Sequence, residues 1–143
     1  MVETMREGPS YAISFYFRRI LVPVDGSETS LKALLVAADF AQRYGSRITV
    51  VYAKPKGFVE AEDPLAKAKE RLKDVPVDVV YKQLEYDHLS DSPQSALLRE
   101  ILSGGYDLVI IGARGKTALS EANIGGVALS LATNAPVSLF IVR

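Results

Sequence analysis

Two short, unbroken apolar runs constrain the fold of this chain most: Ile20-Leu-Val-Pro-Val24, and the Leu-Val-Ile-Ile that fills Asp107–Ile111. Four or five apolar residues without polar alternation are too few for a helix. They suit a strand covered on both faces, the kind found in parallel sheets. Each run stops at a turn signal, Asp25-Gly26-Ser27 after the first and Gly112 after the second. Helical spacing follows the first turn: Ser27 is a plausible N-cap, Leu31, Leu34, Leu35, Ala38 and Ala41 mark the inner face, and Gly45 is the stop. Ile48–Ala53 reads as a second strand, 54–63 as a loop, and Pro64–Lys73 as a charged, exposed helix turning Leu65, Ala68 and Leu72 inward. Val77–Leu84 alternates enough for a third strand. Ser92-Pro93 then opens a helix with serine at the cap and proline at the first helical position. Its expected inner face is Leu97, Leu98, Ile101 and Leu102, and Gly104-Gly105 ends it. After the second apolar run come a helix over Gly126–Thr133 and a last strand, Val137–Val142. Strands alternating with helices imply right-handed crossovers. The expected fold class is α/β: a doubly wound, mostly parallel five-stranded sheet with helices on both faces.

Composition narrows the function classes. At 143 residues the chain makes one domain with a substantial core, residues 18–143, behind an extension over 1–17. Seventeen basic residues balance seventeen acidic ones, which argues against bulk electrostatic attachment to nucleic acid or an anionic membrane. There is no cysteine, so thiolate catalysis, disulfides and cysteine-based zinc sites are excluded. No apolar run reaches the roughly 18 residues of a membrane span. The first 17 residues lack the basic start and cleavage site of a signal peptide, and a cytoplasmic location is expected.

In open parallel sheets, ligands bind beyond the carboxyl ends of the strands where the strand order reverses. The segments available there are Val24–Ser27, Ala53-Lys54 and 112–126. If the first and fourth strands are neighbours, the three meet at one crevice. Gly112 and Gly115 follow a buried strand, and Gly125-Gly126 opens the last helix. Glycine lets backbone N–H groups approach a ligand closely, and a helix N-terminus favours negative charge. The combination describes a place to hold phosphate, within reach of Arg114 and Lys116. Each part also has a plainer reading. The glycines are turn formers, the two cations are solvated, and Asp25 belongs to an Asp-Gly turn. Alternatively, Asp25 accepts hydrogen bonds from ribose hydroxyls or a base amine.

The chain resembles the universal stress protein family, in its nucleotide-binding branch. The family pattern is Gly-x-x-Gly, nine residues, Gly, then Ser or Thr; here it reads Gly112-Ala-Arg-Gly115, 116–124, Gly125, Gly126. Arg19-Ile-Leu-Val-Pro-Val-Asp-Gly-Ser27 resembles the family's opening strand and cap. The resemblance runs from about residue 18 to Arg143 and implies a Rossmann-like fold that holds ATP, with Mg2+ carried on the phosphates. It implies that Asp25, with Pro23 and Val24 beside it, and the backbone of Ala53 hold the adenosine. Gly112, Ala113, Arg114, Gly115, Gly125, Gly126 and Val127 would hold ribose and phosphates, and Lys116 joins them on the residue reading above as a cation within reach of the tail. It also implies a homodimer joined through Val137–Val142. Gly126 departs from the pattern, because the family's hydroxyl is missing. One such hydrogen bond to a charged group is worth up to about 3 kcal/mol, so binding is expected to be weaker by about tenfold and retained.

No catalytic or protein-held metal constellation stands out. His88, the single histidine, falls in a loop and reads as solvated. There is no Gly-x-Ser-x-Gly elbow. The expected function is an ATP-binding stress-response protein, a nucleotide-dependent binding and regulatory module. The alternatives are a nucleotide-independent dimeric interaction protein of the same fold, for which Gly126 argues, and a slow ATPase using Arg114 or Lys116.

Overall fold

The computed structural model describes residues 16–115 and 124–143. Nine elements alternate: β1 (Arg19–Pro23), α1 (Glu28–Tyr44), β2 (Arg47–Pro55), α2 (Pro64–Leu72), β3 (Asp78–Tyr86), α3 (Pro93–Gly104), β4 (Leu108–Gly112), α4 (Gly126–Asn134) and β5 (Ser138–Val142). The five strands form one sheet in the order β3-β2-β1-β4-β5, and every pairing is parallel. The chain winds outward from β1 to β3, then crosses back to β4 beside β1. That reversal puts the switch point between β1 and β4.

The central strands are apolar throughout because both their faces are covered. Ile20, Val22, Ile48, Val50 and Ile110 point to the side packed by α1 and α2. Leu21, Val51, Val109 and Ile111 point to the opposite side, packed by α3 and α4. Adjacent residues of a strand face opposite ways, so one run feeds two cores. Complete burial of each such side chain contributes about 1.5–3 kcal/mol.

The helix ends follow the expected chemistry. Ser27 accepts a hydrogen bond from the Ser30 N–H and caps α1, whose C-terminal Gly45 is left-handed at φ 71°. Ser92 caps α3 in the same way, with Pro93 in its first turn.

Two expected inner-face leucines are corrected. Leu35 is 42 % exposed and Leu102 is 69 % exposed. The buried stripe of α1 includes Ala33 and Ala37; it centres near Leu34 and Ala37, and at 100° per residue Leu35 falls on the flank. The buried stripe of α3 is Ala96, Leu97, Glu100 and Ile101, and Leu102 lies on the opposite side. A hidden carboxylate accounts for the difference in α3. Glu100 Oε2 accepts from the Tyr106 hydroxyl at 2.6 Å and from Lys82 Nζ at 3.0 Å. A face carrying an acid does not read as an inner face.

Candidate functional site

β1 ends at Pro23, and the Val24 N–H donates to the Val51 carbonyl at 2.8 Å. β2 does not end there. It runs on to Pro55 because its pairing with β3 continues through Ala53–Leu84 and Pro55–Tyr86. Ala53 was expected at a strand terminus; it lies instead within β2, past the end of β1. Backbone groups two residues apart on a strand face the same neighbour. The N–H and C=O of Ala53 therefore turn, like those of Val51, toward the side that β1 has left.

The turn after β1 is held rigidly. Gly26 is left-handed at φ 87°, a conformation that favours glycine. Lys67 Nζ donates to its carbonyl at 2.9 Å. The Ser27 N–H donates to Asp25 Oδ1 at 2.9 Å, so one carboxylate oxygen is committed to the turn. The other, Oδ2, faces the loop after β4. A Cβ added at Gly115 would stand 2.6 Å from it. Because Oδ1 is tied, the carboxylate has little freedom to retreat, and glycine at 115 lets it lie against the loop backbone. Gly112 is glycine for a stricter reason. A Cβ there would come within 2.8 Å of Thr29 Cγ2 and 3.0 Å of the Thr29 backbone, so β4 can pass the first turn of α1 only without a side chain.

The other wall is the start of α4. The Gly125 N–H donates to the Ala113 carbonyl, which pins the helix to the loop it faces. Among the described residues no side chain caps α4, and Gly125 has none to do so. The N–H groups of Gly126, Val127 and Ala128 lie in the first turn, where a helix has no acceptors of its own.

These segments enclose a cleft of about 730 Å³, its open mouth included. Pro23, Val24, Asp25, Ala53, Gly112, Ala113, Arg114, Gly115, Gly125, Gly126 and Val127 all line it. Of the residues the sequence singled out for a ligand, Lys116 alone is not among them; it lies outside the described residues. His88 is exposed, as read from the sequence. Among the described residues, no group of three or more His, Cys, Asp or Glu side chains is placed to hold a metal ion. Nor is any helix long and apolar enough to cross a membrane.

The sequence reading missed the apolar lining supplied by Tyr52, Pro93 and Leu97. Their spacing marks Leu97 as an inner-face residue and Pro93 as a helix opener, but nothing in it says that they meet a cleft. Burial, reinforced by the Glu60 carboxylate, pushes the Tyr52 hydroxyl up to about 12. The ring stays neutral, with its hydroxyl donating to Glu60 Oε1 at 3.3 Å. The cleft thus has an apolar wall, one oriented carboxylate, exposed strand backbone and an uncapped helix start.

A doubly wound α/β domain with its cleft at the β1/β4 crossover is the class that this geometry defines. The model of the universal stress protein family matches residues 16–143, and the chain belongs to that family. A universal stress protein of Thermus aquaticus is 27 % identical over 136 residues, covering 89 % of this chain and 99 % of that protein. Among solved structures, a universal stress protein in complex with cAMP superimposes with a TM-score of 0.69 at 20 % identity, covering 90 % of this chain and 98 % of that one. The universal stress protein from Archaeoglobus fulgidus in complex with dAMP also has a TM-score of 0.69, at 19 % identity and covering 90 % and 99 % of the respective chains. Both likenesses establish the fold.

Proposed function

We propose that the cleft holds an adenine nucleotide, ATP with its magnesium ion included, and that the protein acts as a nucleotide-dependent binding and regulatory module. The observation that carries this reading is the opposition, across one cleft, of an oriented carboxylate and an uncapped helix N-terminus. An acid at a sheet switch point suits ribose hydroxyls. A helix start lined by glycines suits phosphate. The strand backbone at Ala53 offers both a donor and an acceptor to the edge of a base. Tyr52, Pro93 and Leu97 offer apolar surface to its faces. The related proteins solved with cAMP and dAMP add support, since both ligands carry adenine, a sugar and phosphate. Arg114 lines the cleft and supplies a cation for the phosphate tail. Magnesium would ride on the phosphates, the usual habit of that ion.

The test is equilibrium binding of labelled ATP to the purified chain. A dissociation constant in the micromolar range is expected; saturation only above millimolar ATP would defeat the proposal. The homodimer implied by the family belongs to the same reading. β5 is an edge strand, and Phe140 on it is 45 % exposed. A sedimentation mass of one chain at high protein concentration would remove that part.

A further inference from the structure

Position 126 behaves differently from the other glycines of the cleft. Among the described residues a Cβ added at Gly126 would meet only the Gln94 side-chain nitrogen, at 3.5 Å, an ordinary contact. Its φ is not positive either. Neither space nor backbone geometry therefore demands glycine there, in contrast to Gly112. What stands beside the empty position is an amide. Gln94 follows Pro93 in the first turn of α3, next to the first turn of α4. It is half-buried, and its side chain forms no hydrogen bond to another described residue. Pro93 and Leu97 line the cleft itself, so Gln94 sits at the rim, where a tail leaving the cleft would pass between the two helix starts.

We propose that Gln94 supplies the hydrogen bond that a hydroxyl at position 126 would otherwise make, its side-chain amide donating to a phosphate oxygen of the bound nucleotide. This rests on the nucleotide reading above. A carboxamide suits the task. It carries two N–H donors, it is neutral, and it can rotate toward an anion without bringing a competing charge. The positive charge at the rim comes from Arg114, and the amide adds direction.

Adenosine, AMP, ADP and ATP are titrated against four proteins: the natural chain, Gln94→Ala, Gly126→Ser, and the two changes combined. Gln94→Ala should weaken ATP about five- to tenfold and leave adenosine within about twofold. The shortest ligand whose affinity responds identifies the phosphate contacted. Gly126→Ser alone should change ATP affinity by less than about threefold, because the donor is already present. Combined with Gln94→Ala it should restore most of the loss, a non-additive pattern. Gln94→Glu keeps the shape and reverses the sense of the interaction. It should weaken ATP more than about tenfold and adenosine little. Equal losses for adenosine and ATP, no loss at all, or a double variant as weak as Gln94→Ala would each overturn the assignment of Gln94. A natural chain that saturates with none of the four ligands would instead overturn the nucleotide reading, and this inference with it. Melting temperatures without ligand should agree among the natural chain and all four variants, so that affinity is compared between folded chains.

Discussion

Two of the helices that begin at the cleft, α1 and α4, begin differently. α1 starts under side-chain partners: Ser27 accepts from the Ser30 N–H, the Ser30 hydroxyl donates back to the Ser27 carbonyl at 2.9 Å, and Asp25 takes the Ser27 N–H. α4 starts on Gly125 with no side-chain cap. A capped helix start is a finished structural joint, and here it fixes one carboxylate. An uncapped one keeps its N–H groups available to whatever enters the cleft. In the proposed reading one fold divides two tasks between equivalent positions: the first βα turn orients the carboxylate, and the last receives the phosphate.

The sharpest break comes at Gly112, which lets β4 approach the capped start of α1. Gly112→Val would drive a branched side chain into Thr29, including its backbone, which cannot swing aside. Overpacking of this kind typically costs about 1–3 kcal/mol, and the rigidity of both partners places the expectation at the upper end. Urea unfolding would read it as a lower midpoint with an unchanged slope; an unchanged midpoint would mean that β4 and α1 leave room for a side chain at 112.

Asp25→Asn separates the two duties of that side chain. The amide oxygen can still accept the Ser27 N–H, so stability should stay within about 0.5 kcal/mol. The face toward Gly115 would present a donor where the proposed ribose needs an acceptor, and ATP affinity should fall about tenfold, or about 1.4 kcal/mol. Loss of stability with unchanged affinity would place the residue in the turn alone.

Ser27→Ala tests the capped side by itself. Removing a serine cap costs about 1 kcal/mol, read in the same urea titration. ATP affinity should fall by less than about threefold, since the proposed binding start is that of α4. A larger effect on affinity than on stability would dissolve the division of tasks.

How much of this was legible beforehand depended on how local the signal was. Ser27, Gly45, Ser92 with Pro93, and Gly105 were readable as helix ends because capping is decided by a few neighbouring residues. Val22 and Ile110 were readable as doubly covered strand interiors because nothing polar interrupts them. Leu35 and Leu102 were misplaced, since the rotation of a helix depends on what it packs against: small alanines against the sheet in α1, and the Glu100–Tyr106–Lys82 contacts in α3. Burial tends to raise the Glu100 carboxyl, but the hydrogen bonds from Tyr106 and Lys82, with the charges of Lys82 and Arg19, outweigh it and hold the group below its ordinary range. It stays ionised inside the protein, a circumstance no periodicity reveals.

At the cleft the same division holds. Local sequence suffices to say which short segments sit at the carboxyl ends of strands and which of them carry glycine, an acid or a cation, because strand ends and turns are local events. That β1 stops beside a β2 that runs on, that Asp25 faces Gly115, and that Gln94 stands beside Gly126 follow from the packing of the whole domain. Those facts depend on the distance between elements far apart in the chain, and that distance is set by packing on two faces of one sheet rather than by any residue's own preference.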